Sequence, residues 1–205
     1  MLRKIFEGRP PENTISQANR QLPDIRFHIT EDTPEKLYQA FTDRRCDAFI
    51  MATFTEKKPY PDFFCSVLCR EEIFLAIPPD HPIQEMISYR ASDHSPYVPV
   101  KALKNQAFYM CTQDRIIRPF SERVLKSRNI PFTVIGESTN IATAINGCLT
   151  FDALTFVPKV FMRVNPSLTY ASIGRNRVFW YLQIVSGTAL EERLQVLLRN
   201  VFSSS

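Results

Sequence analysis

Histidine, cysteine and paired carboxylates are the side chains most often used for catalysis or metal binding, and here they are sparse and scattered. The three histidines, His28, His81 and His94, stand far apart, and none has metal-ligand spacing with a cysteine, aspartate or glutamate. Cys65 and Cys69 are separated by Ser-Val-Leu, which reads as strand interior carrying two packed thiols. Glu71-Glu72 precede an apolar run and read as solvated edge residues rather than an acid/base couple. With five glycines in the chain there is no GxGxxG, no phosphate loop and no GxSxG. No nucleophile stands beside a base, so the reading is of a protein that is not an enzyme and needs neither metal nor cofactor.

Binding chemistry is better supported. In an open α/β sheet, ligands sit beyond the carboxyl ends of the strands, where helix N-termini present free N–H groups. Four strand-to-helix junctions here carry hydroxyl or basic side chains. They are residues 9–14 with Arg9 and Thr14, the turn Asp32-Thr33, residues 112–118 with Thr112, and Ser138-Thr139-Asn140. Any one of them by itself reads better as an ordinary cap; four together could converge on a small anionic molecule.

The elements behind these junctions alternate between extended and helical patterns. Residues 2–6 read as a strand, and Thr14 with Gln17 has capping-box spacing for a short helix ending at Leu22-Pro23. In DIRFHIT, Ile25, Phe27 and Ile29 alternate with polar residues, predicting a strand with one wet face at or near a sheet edge. TPEKLYQAFTDRR predicts a helix with Thr33 as N-cap, Pro34 at the first position and Leu37, Ala40 and Phe41 facing inward. CDAFIMA reads as a strand buried on both faces, and EEIFLAIPP as a strand stopped by prolines. After a soft connection over residues 85–100, QAFYMC, FTVI, DALTFV, LTYASI and RVFWYLQIV read as strands. PFSERVLKSRN and STNIATAING read as helices, and an amphipathic helix over residues 190–202 closes the chain.

Composition agrees with an α/β globular chain. The 205 residues are 44% hydrophobic and 22% charged, enough for a sizeable core and unlike a disordered or disulfide-stapled chain. The net charge of +4 is spread thinly and does not call for nucleic acid. Residues 1–11 lack the apolar stretch of a secretory signal, and no apolar run approaches the ~20 residues of a membrane span. Five cysteines without a CxxC pair read as free thiols of a reducing cytoplasm, with no membrane partner.

The order of several short pieces resembles the effector-binding domain of LysR-type transcriptional regulators. The pieces are the turn at residues 22–25, the Asp47-Ala48 strand, the Pro-x-x-His-Pro closure at residues 78–82, and the helix-turn-strand of residues 144–158 ending in Val-Pro. The resemblance covers essentially the whole chain. It implies two Rossmann-like lobes of the periplasmic-binding-protein type II kind, joined by two crossover strands. Lobe I would be residues 1–86 plus 172–205, and lobe II residues 87–171. A small-molecule effector would lie in the cleft between lobes, near Arg9, Thr14, Thr33, Thr112, Arg118, Phe120, Ser138 and Thr139. Arg115 and Arg118, near a helix start, favour an anionic effector; surface arginines are the alternative.

The family's Gly-Leu-Gly turn appears here as residues 147–152 with a single glycine, a departure from the pattern. The resemblance further implies a homodimer, with residues 12–30 of one copy against 119–129 of the other, and a tetramer for a full-length regulator. The family's winged helix-turn-helix has no counterpart in this chain, so DNA would be engaged only through such a head on a longer regulator. Two other functions fit the same fold. One is a free-standing cytoplasmic solute-binding protein; the other, a cofactor-free enzyme such as a dehydratase or transferase, is disfavoured by the lack of a paired acid and base.

Overall fold

The computed structural model describes residues 2–6, 20, 27–188, 195, 196, 198 and 199. The chain divides into two units, residues 1–71 with 180–205, and residues 72–179. The expected helix over residues 14–22 is described only at Arg20, which is helical, and the closing helix only at residues 195, 196, 198 and 199.

The first unit is built on parallel strands. β1 (Leu2–Phe6) lies between β2 (Phe27–Glu31) and β3 (Ala48–Thr53), with Ile5 opposite both Thr30 and Phe49. β2 ends the strand order, as the alternation of polar and apolar residues predicts, and its His28, Thr30 and Glu31 are exposed. Strand β11 (Phe179–Ser186) runs antiparallel to β3, pairing Ile50 with Ile184. Helix α1 (Pro34–Thr42) follows β2; proline at its first position lacks an N–H that would have no helical partner there. Leu37, Ala40 and Phe41 bury its inner stripe against Phe49, Met51 and Val185. Leu37 and Phe41, withdrawn from water, each contribute about 1.5–3 kcal/mol before entropy is counted. Tyr60 and Phe63 close over this core, with Tyr60 stacked on Tyr38 at 4.7 Å.

Strand β4 (Phe64–Ile77) is fourteen residues long and, like β11, contributes residues to both units. The lobe boundaries expected at 86/87 and 171/172 fall inside the second unit. The length of β4 also corrects the reading of Glu71-Glu72 as solvated edge residues. Glu72 is mid-strand, 8% exposed, accepts a hydrogen bond from the Ser172 hydroxyl and forms an ion pair with Arg177 Nε at 3.5 Å. Glu71 accepts from Trp180 Nε1 at 2.8 Å. Strand pairing buries the backbone there, and these donors compensate the buried carboxylate.

In the second unit, residues 73–77 of β4 pair antiparallel with β9 (Thr155–Pro158) and β10 (Thr169–Ile173). β10 runs parallel to β6 (Pro96–Val98), which pairs with β5 (Ser88–Tyr89). The stretch expected as a soft connection therefore holds two sheet strands. His81 explains the Pro-x-x-His-Pro closure: its Nδ1 accepts from Ile83 N–H at 3.2 Å and caps the short turn Pro82–Met86. Burial holds its imidazole below the ordinary value, in the neutral form this cap requires.

β7 (Gln106–Cys111) and β8 (Phe132–Ser138) form a parallel pair, followed respectively by α2 (Ile117–Lys126) and α3 (Ile141–Thr150). α3 packs Ile145 and Cys148 on Ala76, Val157 and Leu168. Gly147 belongs to this helix rather than to a turn. The left-handed residue after the helix is Asp152, at φ +47°.

Candidate functional site

Because β1, β2 and β3 are parallel, their carboxyl ends open on one edge of the first unit. That edge presents the start of α1 and the loop following Thr53. Thr33 is the N-cap residue of α1, as expected, but its hydroxyl makes no capping bond. The nearby acceptor is Asp32, whose Oδ1 takes the Thr33 N–H at 2.9 Å. Thr33 is only 9% exposed, and among the described residues no hydrogen bond to its hydroxyl is present. A hydroxyl at a helix start without a cap to make is available to a ligand. Arg9 and Thr14 lie outside the described residues.

The second unit repeats the arrangement. The carboxyl ends of β7 and β8 are tied together by Thr112 N–H, which donates to the Ser138 carbonyl at 2.8 Å. The Thr112 hydroxyl donates to Asp114 Oδ1 at 2.6 Å, and the Ser138 hydroxyl to the Asn140 carbonyl at 3.0 Å. Thr139 is exposed. Asn140 caps α3, its Oδ1 accepting from Thr143 N–H at 2.8 Å. The hydroxyls of Thr112 and Ser138 thus shape the turns that present them.

The two arginines differ sharply. Arg118 is 6% exposed and fully engaged: Nε donates to Glu122 Oε1 at 2.7 Å, and Nη1 to Glu137 Oε1 at 2.5 Å and to the Cys111 carbonyl at 3.0 Å. Its one positive charge meets two carboxylates, so it joins α2 to the ends of β7 and β8. The Lys126 ammonium, at 2.7 Å, and Arg118 together hold the Glu122 carboxyl down at about 2. Arg115 sits in the turn before α2, half-buried, and its Nε is buried without a hydrogen-bond partner among the described residues. Phe120 is core, buried on the inner face of α2.

Sequence reasoning missed Gln183. It is buried in β11, and its amide nitrogen reaches Thr53 Oγ1, the Thr55 carbonyl and the Lys57 carbonyl. The available signal was a lone amide inside the apolar run Phe-Trp-Tyr-Leu-Gln-Ile-Val, where a polar side chain needs partners. Among the described residues no group of three or more His, Cys, Asp or Glu could hold a metal ion. Nor is any helix there long and apolar enough to cross a membrane.

A mixed α/β chain whose parallel strands end in hydroxyl-lined helix starts defines a small-molecule-binding domain of the periplasmic-binding-protein type II-like class. Residues 13–186 match the family model described as LysR substrate binding domain, and the chain belongs to that family, the effector-sensing module of LysR-type transcriptional regulators. No curated protein matches it. Solved structures share its fold at low identity. The reduced OxyR regulatory domain from Pseudomonas aeruginosa is 15% identical at TM-score 0.74, covering 98% of this chain and 95% of that one. The BenM effector-binding domain with benzoate is 14% identical at TM-score 0.77, over 99% and 92%. The Synechocystis PCC6803 CcmR regulatory domain with 2-PG is 14% identical at TM-score 0.73, over 99% and 96%.

Proposed function

We propose that this domain senses a small anionic metabolite held at the carboxyl ends of its parallel strands, with Thr33 donating to it from the first unit. The observation that carries the reading is the Thr33 hydroxyl. It belongs to a residue only 9% exposed, stands at a helix start and makes no capping bond. The second unit has a candidate anion contact of its own in the turn before α2, Arg115, whose Nε lacks a partner among the described residues. Glu122 and Glu137 already neutralise Arg118, which favours Arg115 over it as the anion's counterion. Thr112, Ser138 and Thr139 are the further proposed contacts of the second unit, and Arg9 and Thr14 are proposed from the family resemblance alone. As sensing part of a dimeric cytoplasmic regulator, the domain would respond to a ligand only through different affinities for its alternative arrangements.

A thiol-based redox response is the weaker reading. Burial pushes the thiols of Cys69 and Cys148 up to about 12 and raises that of Cys46, so none of the three is a ready thiolate near neutral pH.

Calorimetry with a panel of small carboxylates, benzoate and 2-PG among them, tests the proposal. Thr33→Val should keep the fold and weaken the best binder roughly tenfold, the worth of one hydrogen bond. Unchanged affinity removes Thr33 from the site.

A further inference from the structure

The loop of residues 53–57 leaves the carboxyl end of β3, on the edge of the first unit that also carries Thr33. Phe54 is half-buried, but Thr55, Glu56, Lys57 and Lys58 are all exposed, so packing does little to fix the stretch that follows it. Its hydrogen bonds come from side chains. The Thr53 hydroxyl donates to the Thr55 carbonyl at 2.8 Å, and Thr55 Oγ1 accepts from Lys57 N–H at 3.3 Å. Further ties run to β11, one from the Thr53 hydroxyl to the Tyr181 carbonyl at 3.3 Å and the others to the Gln183 side chain. Gln183 Nε2 lies 2.8 Å from Thr53 Oγ1, 3.0 Å from the Thr55 carbonyl and 3.1 Å from the Lys57 carbonyl.

Gln183 is 1% exposed. Burying an amide costs desolvation and side-chain entropy that a leucine of similar size would not incur. Packing of β11 therefore does not account for it. What the amide supplies is a pair of N–H donors aimed at three acceptors on successive parts of the loop. Backbone carbonyls in a loop without a ladder must find donors somewhere, and the Gln183 amide supplies them to two, those of Thr55 and Lys57.

We propose that Gln183 is a positioning residue for effector recognition: it sets the path of residues 53–57 and thereby the shape of the binding edge beside Thr33. This rests on the reading of that edge as the effector site.

Two variants of the full chain test it, Gln183→Leu and Gln183→Glu. Leucine keeps the volume and removes the donors. A glutamate carboxylate also cannot donate, and it regains one donor when protonated. Backbone ¹⁵N order parameters are read at residues 54–58, with α1 as reference. In both variants at neutral pH they should fall from about 0.85 to below about 0.6, while α1 stays rigid. On acidification the glutamate variant should recover order and the leucine variant should not. A loop that stays rigid in both variants overturns the proposal. So does loss of order in α1 as well, or a glutamate variant without pH response.

Binding supplies the functional half. For a probe that the wild type binds, benzoate or 2-PG, Gln183→Glu should weaken affinity about tenfold at neutral pH. Unchanged affinity with a disordered loop severs the link to recognition. If the wild type binds neither probe, the choice of effector class is at fault, and the order parameters still decide whether Gln183 positions the loop.

Discussion

Arg118 and Glu122 show how a side chain suited to binding is diverted to structure. A guanidinium beside a helix start is well placed for an anion, yet Glu122 lies one turn along α2 and Glu137 near the end of β8. With two carboxylates in reach, the lowest-energy arrangement is internal. Glu122 carries the consequence. Its folded-state value of about 2 lies below the ordinary 4.5, so its ionised form contributes stability in full above about 4.5. That contribution is lost as the pH falls from 4.5 toward 2. Glu122→Gln should flatten the acid limb of the stability curve in that window, read by urea denaturation at a series of pH values. An unaltered acid limb would show that the ion pairs do not stabilise the fold.

Among the elements, the packing of α3 against the β7–β8 pair turns on Tyr109. A Cβ on Gly147 would come within 2.5 Å of one edge of its ring, and a Cβ on Gly136 within 2.4 Å of the other. The hydroxyl donates to the Glu137 carbonyl at 3.1 Å, and Phe151, 57% exposed, stacks on the ring at 5.5 Å. The ring is thus held on several sides and cannot step away cheaply. Gly147→Ala should destabilise the protein by about 1–3 kcal/mol, although alanine is the better helix former. Adding Tyr109→Ala should recover much of that loss, a coupling that a double-mutant cycle by chemical denaturation measures directly. Independent, additive effects would mean that the ring relaxes freely.

At the scale of the whole molecule the proposed dimer can be tested. β2 ends the strand order of the first unit, and its polar side chains face solvent, as for a strand available to a partner. The pairing expected for the family sets residues 12–30 against 119–129 of a second copy. Sedimentation equilibrium should therefore give twice the 23.7 kDa chain mass at tens of micromolar protein. A monomer throughout would rule this dimer out. Arg123→Glu with Lys126→Glu, on α2, should shift the equilibrium toward monomer if that face is used.

Local patterning was enough to establish the α/β class, the helix over residues 33–42 and the buried strand after Asp47, because apolar periodicity and proline placement act over a few residues. The order of short motifs along the chain was enough for the family. What depends on partners distant in sequence was not legible. Glu72 looked solvated because Ser172 and Arg177 lie about a hundred residues away. Gly147 looked like a turn because nothing local reveals the Tyr109 ring. Arg118 and Thr33 both have the residue type and position of a ligand contact, and their difference lies in which side chains the fold brings within 3 Å of them. Sequence determined which residues could bind; hydrogen-bond partners chosen by tertiary structure decided which of them remain free to do so.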